Sequence, residues 1–305
     1  MLHLNRRELW KFAMPLPLQD AATCLVCGSE GQKRGHKDGF DLYRCPDCSL
    51  LFVFPLPTAP LEIYSKDYFE GSRQGHGYAD YDRDKEATVP AFQKYLDLIE
   101  SAYGRKGKLL DIGAATGFFL TLARQRGWVT AGIEPSDHAA EIGRAKGLDI
   151  QTGTTENFVS PDEAFDVVTM WDVIEHVSDP AQVLQKVHSL LKPGGILATN
   201  TPDSGSLWAR CLGMNWYHIG PPEHLNLFSI RSLHHLLNDS GFDCVLTTKI
   251  GKTFTIQYIF QILANRQKWQ LWNFMSERLT NSALGQLGIP INFRDSVFLI
   301  ARRRV

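Results

Sequence analysis

The stretch LLDIGAATGFFL, Leu109 to Leu120, decides the fold. Leu109 to Ile112 read as a strand, the small residues that follow as a loop, and Phe118 to Leu120 as the start of an apolar helix. That is the layout of a nucleotide cradle, and the loop chemistry narrows the ligand. A dinucleotide fingerprint needs glycine at its first, third and sixth positions, so that backbone can approach a pyrophosphate and helix can close on strand. Counted from Gly113, the third position is Ala115 and the sixth is Phe118. No Lys-Ser/Thr pair follows Gly117, which excludes a P-loop. The loop suits a ligand smaller than NAD and without a diphosphate.

Outward from this stretch, strands and helices alternate in the pattern of a parallel α/β sheet. Seven strands are expected at 108–112, 128–134, 148–151, 165–171, 194–200, 242–250 and 295–303. Helices are expected at 117–126, 136–146 and 180–191, the last stopped by LKPGG at 191–195. The expected fold is therefore α/β, a doubly wound, seven-stranded, mostly parallel sheet. Two insertions interrupt it. Residues 202–228 are rich in Pro, Gly, Trp and His, and 253–279 read as an extra helix within a longer insertion, 253–292. On that helix Tyr258, Ile262, Trp269, Trp272, Met275 and Leu279 share one broad face. The stripe reads as core contact, with a lid over an apolar substrate, docking of a second copy in a homodimer or, last in order, docking on a membrane surface as alternatives. The expected organisation is an arm at 1–20, a cysteine module at 21–55, a linker and helical cap at 56–107, and the main domain at 108–305.

The chain has 305 residues, 44% hydrophobic and 21% charged, with a formal net charge of −1. Near-neutrality argues against broad capture of nucleic acid or anionic membrane. The start, MLHLNRRELWKF, lacks the apolar core and cleavage site of a signal peptide, and no run reaches the roughly 18 apolar residues of a membrane span. A cytoplasmic location is expected.

CLVC and CPDC place Cys24, Cys27, Cys45 and Cys48 in a C-x2-C-x17-C-x2-C spacing. Two residues between cysteines turn both thiolates toward one ion, and two such knuckles complete a tetrahedron, so the expectation is a structural Zn2+. Two disulfides would need an oxidising compartment. Cys211 and Cys244 read as small buried hydrophobes. Lys33, Arg34, His36, Lys37 and Arg44, between the knuckles, read as a solvated face rather than a binding patch.

The strand WVTAGIEPS ends in Glu134, 23 residues beyond Asp111. In a doubly wound sheet an acid there can accept hydrogen bonds from ribose hydroxyls. Loop amides from Ala114 to Gly117 would face the other end of the ligand, where a helix N-terminus favours a carboxylate. A ribose and an amino-acid carboxylate describe S-adenosylmethionine.

At this point the chain resembles the class I S-adenosylmethionine-dependent methyltransferases, in their bacterial small-molecule branch, over residues 60–305. LLDIGAATGFFL is similar to the first motif of that family, GIEPS to its second, and FDVVTMWDVIEHVSDP with LLKPGGILATNTPD to later ones. WYHIGPPEHLNLFS and the cysteine module resemble members found near sugar, polysaccharide and natural-product pathways. The resemblance implies a Rossmann-like fold in which Asp111, Gly113, Ala114, Ala115 and Gly117 shape the methionine end. It implies that Glu134, with Pro135, binds ribose, that Thr154, Thr155 and Glu156 flank adenine, and that Trp171 and Asp172 close the other side. Tyr78, Tyr68 and Tyr81 precede the core where the family folds an N-terminal helix over the cofactor, and one of them is expected to touch the methionine portion. Two departures stand out. Ala115 replaces the usual glycine, and Thr154 replaces the acid that often accepts the adenine amino group.

Methyl transfer is an in-line displacement, so the protein must orient the acceptor, exclude water and remove a proton. Histidine suits that task. His224, His176 and His218 are the candidate bases by position, and Glu175 is a further candidate that a polar helix start explains equally well. The expected reaction transfers methyl to O or C of a small biosynthetic intermediate. The alternatives are an RNA methyltransferase gripping its substrate with the zinc module, and a non-catalytic scaffold. Neutral charge and the lack of an Asn/Asp-Pro-Pro-aromatic motif oppose the first, and the acids at 111 and 134 oppose the second.

Overall fold

The computed structural model describes residues 21–57, 81–86, 88–250, 252–256, 260, 270–279, 282, 284–285, 287–291 and 293–305. The expectations on Tyr68, Tyr78, Tyr258, Ile262 and Trp269 lie outside them.

Three short strands come first: β1 (Gln32–Lys37), β2 (Phe40–Arg44) and β3 (Leu51–Val53). Two helices follow, α1 (Tyr81–Glu86) and α2 (Val89–Tyr103). The alternating core then runs β4 (Lys108–Ile112), α3 (Phe118–Gln125), β5 (Val129–Glu134), α4 (Asp137–Ala145), β6 (Ile150–Thr152), β7 (Phe165–Trp171), α5 (Pro180–Leu190) and β8 (Leu191–Pro202). After it come α6 (Leu207–Leu212), β9 (Asn226–Leu227), α7 (Ile230–Asp239), β10 (Phe242–Thr248), β11 (Lys252–Thr255), α8 (Gln270–Leu279), β12 (Gly288–Ile291) and β13 (Ser296–Arg303).

The main sheet has seven strands in the order β10-β13-β8-β7-β4-β5-β6. The five strands from β8 to β6 run parallel, while β13 lies antiparallel between β8 and β10. The order reverses around β4 and β7, which puts a crevice at their carboxyl ends. Apolar runs explain the burial. In β7 the residues from Phe165 to Met170 are all buried, as expected of a strand covered by helices on both faces. Helix α2 turns Ala91, Phe92, Tyr95, Leu96 and Ile99 inward and stops at Gly104, whose φ of 85° only glycine adopts freely. Tyr95 stacks against both Trp171 and Phe298, with ring centroids 4.9 and 4.6 Å away, fastening this helix to the middle of the sheet.

A second sheet joins the front of the chain to its later part. Its order is β1-β2-β3-β9, with Leu51 opposite Leu227 and Phe52 opposite Asn226. Leu42, Leu51 and Val53 share a core with Ala209, Trp216, Ile219 and Leu227 of the insertion. The insertion at 202–228 is thus a structured layer, comprising α6, a 3-10 turn at Gly213–Asn215 and β9.

The expected single helix over 253–279 is corrected. Lys252–Thr255 is a strand that pairs antiparallel with Gly288–Ile291, and Gln270–Leu279 is helix. On α8 Leu279 is buried and Trp272 and Met275 are half-buried, whereas Phe274 is exposed. Cys211 and Cys244 are exposed, against the expectation of small buried hydrophobes. No helix among the described residues is long and apolar enough to cross a membrane.

Candidate active site

The cradle loop leaves β4 and enters α3 through three left-handed residues, Gly113 (φ 75°), Ala115 (φ 49°) and Gly117 (φ 76°). A Cβ on Gly113 would lie 2.6 Å from Val173 Cγ2, so glycine is required there by space as well as by backbone. Ala115 adopts the backbone a glycine would, at a cost in strain. The loop is then tied down on two sides. The Ala115 amide donates to Glu134 Oε2 at 2.8 Å. Thr116 Oγ1 donates to Asp82 Oδ1 at 2.5 Å, and Lys146 bridges Asp82 to the Thr116 carbonyl. Through Asp82, and through Tyr81 packed on Ala115 and Ala139, helix α1 lies over the loop.

Glu134 ends β5 with its other oxygen, Oε1, accepting from the Ser136 amide at 2.9 Å, beside Pro135. Each carboxylate oxygen therefore takes one backbone amide and keeps a lone pair for a ligand. Burial pushes this carboxyl up to about 7, against the pull of the two amides. Asp111, within β4, is pushed up to about 8 by burial; the Thr169 hydroxyl, donating at 2.7 Å, works against this. The Gly153 amide donates to the Glu134 carbonyl at 2.9 Å, which brings buried Thr155 and half-buried Thr154 to the flank of the acid. Glu156 is exposed, and the Thr154 amide donates to Asn157 Oδ1. Trp171 sits among Phe92, Tyr95, Phe119 and Phe298.

Opposite the loop, Asp172 follows β7 with φ 53°. Its amide donates to Asn200 Oδ1 at 3.0 Å and its Oδ1 accepts from Asn200 Nδ2 at 2.9 Å, locking the ends of β7 and β8 together. The next turn carries Glu175, which is fully buried and accepts from Thr201 Oγ1 at 2.9 Å. His176 Nε2 lies 3.9 Å from Glu175 Oε1. The insertion brings the third member. Amides of Leu225 and Asn226 both donate to the Glu175 carbonyl, at 2.9 and 3.0 Å, and this places His224 edge-on to His176 with ring centroids 4.7 Å apart. His224 Nδ1 donates to the His218 carbonyl at 2.5 Å, and the His218 ring stacks on His224 at 5.8 Å. Burial, and then the neighbouring His224, push His176 down to about 3, so its ring is neutral at ordinary pH.

The structure therefore gathers Asp111, the loop, Glu134 and Asp172 around one edge, with His176, His218 and His224 beside them. Sequence reasoning did not single out Thr169, Asn200, Thr201 or Asp82. Asn200 and Thr201 stand in the quoted motif LLKPGGILATNTPD, and their polarity inside an otherwise apolar strand was the available signal.

The four cysteines meet as their spacing requires, with all Sγ atoms within 4.8 Å of one another. Cys24 and Cys48 approach to 3.4 Å, and Cys27 and Cys45 to 3.3 Å, near the edge of about 3.8 Å for a tetrahedron of thiolates around zinc. Each knuckle closes on a left-handed residue, Gly28 or Ser49, and amides of Val26 and Cys48 point at Cys24 and Cys45 sulfurs. The donor set fits a closed Zn2+ site.

A seven-stranded sheet with this order, a glycine-bearing first loop and an acid closing the second strand define the class I S-adenosylmethionine-dependent methyltransferase fold. Residues 84–247 match the family described as methyltransferase domain, and the chain belongs to it. Among similar proteins, the ubiquinone biosynthesis O-methyltransferase of Saccharophagus degradans is 33% identical over 119 residues, covering 37% of this chain and 50% of that protein. Its namesake in Cereibacter sphaeroides is 28% identical over 183 residues, covering 55% and 67%. The chain thus spans about half the length of the first of these relatives. A solved structure from Bacillus halodurans C-125, assigned to the methyltransferases, superposes with a TM-score of 0.51 at 16% identity, over 71% of this chain and all of that one. At that identity the likeness speaks for the fold.

Proposed function

We propose that the chain transfers a methyl group from S-adenosylmethionine to a hydroxyl oxygen of a small biosynthetic intermediate. Glu134 carries the reading. Its buried carboxylate is fixed by two backbone amides beside the left-handed loop, with acceptor capacity left for a ribose. The cofactor supplies an electrophilic methyl on a sulfonium. Asp111, Gly113, Ala114, Ala115 and Gly117 shape the methionine end, Thr154 and Thr155 flank adenine, and Trp171 with Asp172 close the opposite wall. The acceptor sits against Glu175, His176 and His224, where the insertion covers the edge of the sheet and excludes water. Burial makes His176 too weak a base to take the acceptor proton, and the reading assigns that step to His224, edge-on to it from the insertion. Oxygen is preferred to carbon because the curated relatives are named as O-methyltransferases. Cys24, Cys27, Cys45 and Cys48 hold a structural Zn2+.

Calorimetry with S-adenosylmethionine tests the reading, followed by a screen of hydroxylated metabolites with a labelled methyl donor. Affinity that Glu134→Ala weakens supports it. A wild-type protein that does not bind the cofactor ends it.

A further inference from the structure

The histidine insertion is also anchored from the far end of the chain. Asp295 stands one residue before β13 and is 5% exposed. One of its carboxylate oxygens, Oδ2, accepts from Trp216 Nε1 at 3.3 Å and from the Tyr217 hydroxyl. Its carbonyl accepts from the Asp203 amide at 2.7 Å, where the insertion leaves β8. A buried carboxylate is costly unless its oxygens are hydrogen-bonded, and here both side-chain donors come from one dipeptide of the insertion.

That dipeptide begins a run of rings that ends at the candidate base. The Tyr217 ring lies 4.3 Å from the His218 ring, and Trp216 meets His218 edge-on at 5.1 Å. His218 stacks on His224, and its carbonyl accepts from His224 Nδ1 at 2.5 Å. A carbonyl can only accept, so the proton sits on Nδ1 and Nε2 keeps the lone pair that a base needs. The neighbouring ring is held in the same tautomer, with His176 Nδ1 donating to the Glu223 carbonyl at 2.9 Å. The His218 carbonyl can serve His224 only while residues 216–218 keep their place. Trp216 is fixed by burial with Leu42, Leu51 and Val53 of the second sheet. Tyr217 and His218 are only half-buried, and the bond from phenol to carboxylate supplies what packing leaves open.

We propose that Asp295 is a positioning residue for His224. Acting through Tyr217, its carboxylate holds His218 where the His218 carbonyl keeps the proton on His224 Nδ1. The consequence for catalysis rests on the proposed methyl transfer with His224 as base; the anchoring itself rests on the contacts. In that reaction His224 Nε2 takes the acceptor proton as the O–C bond forms, the S–C bond breaks, and its electron pair goes to sulfur. A ring in the other tautomer presents N–H to the acceptor and cannot take its proton.

Three variants test this. Tyr217→Phe removes the hydroxyl and keeps the ring, Asp295→Ala removes the acceptor, and Asp295→Asn keeps an acceptor oxygen. Nitrogen nuclear magnetic resonance of the full chain at alkaline pH, without added ligand, reads the His224 tautomer directly. Wild type and Asp295→Asn should show a protonated Nδ1, and Tyr217→Phe and Asp295→Ala a mixture of tautomers. With the hydroxylated acceptor found in the screen, the last two should lose about tenfold or more in kcat, while S-adenosylmethionine affinity stays within about twofold of wild type. Unshifted His224 nitrogens in folded Tyr217→Phe would overturn the proposal, as would an equal loss in Asp295→Asn or a change confined to KM. Should Asp295→Ala fail to fold, Tyr217→Phe decides alone. A wild type without S-adenosylmethionine affinity would sink the proposed function, and the nitrogen shifts would still judge the anchoring.

Discussion

At the scale of single residues, the candidate site holds two carboxyls that burial has moved into the neutral range. Asp111 sits at about 8 and Glu134 at about 7, whereas both are ordinary acids in the unfolded chain. Between roughly pH 4 and 8 the folded state therefore binds more protons than the unfolded one, and stability falls as pH rises through that window. In Asp111→Asn the buried charge is gone. Its stability deficit relative to wild type should shrink between pH 6 and pH 8, as read by chemical denaturation at both values. His176 contributes with the opposite sign. Its folded value of about 3 lies below the unfolded one, so its contribution is complete above about 6.5 and is lost as pH falls toward 3. Glu134→Ala should cost about 1 to 3 kcal/mol of cofactor affinity by calorimetry, the worth of charged hydrogen bonds. Ala115, at φ 49°, offers a change in the other direction. Ala115→Gly relieves left-handed strain of about 1 to 2 kcal/mol but restores backbone entropy, and should raise stability by about 0.5 to 1 kcal/mol in denaturant melts.

At the scale of elements, helix α1 reaches the cradle through Asp82, which joins Thr116 and Lys146. The pair is partly exposed, with Lys146 at 30% and Asp82 at 38%, so the bridge itself is worth little. Its effect should appear in the loop it steadies. Asp82→Ala should weaken S-adenosylmethionine binding by about 1 kcal/mol with little change in melting temperature. What the sequence made legible varied by element for physical reasons. β4 and β7 match their expected limits, because long apolar runs between turn residues leave few alternatives. The knuckle cysteines were legible because metal spacing is local. The stretch after Gly251 was not. KTFT is short, and its partner GIPI lies more than thirty residues on, so a strand pairing that only tertiary structure makes was hidden behind a helical stripe. Strand β9 is two residues long and carries no period of its own. The histidine cluster was legible in part: each residue stood out, but their common support by Glu175 and two carbonyls depends on the insertion folding back.

At the scale of the molecule, the cysteine module and the histidine loop are one mechanical unit. β3 pairs with β9, Val53 donates to the Leu225 carbonyl, and Lys37 reaches the Ile219 carbonyl. Cys45→Ser removes one thiolate of the proposed zinc site and should loosen the module, and the change should travel along this sheet. Amide hydrogen exchange at Leu225 and Asn226 should accelerate, while amides of β4 and β5 keep their protection; equal protection at all four places would contradict the coupling. The same pairing also bears on how the chain is made. A ribosome delivers β1 to β3 more than 170 residues before β9, so the nascent module waits with an open strand edge until the later half emerges. Fragments ending ahead of residue 220 should consequently be far stickier than the full-length chain, however well their own cysteines are loaded.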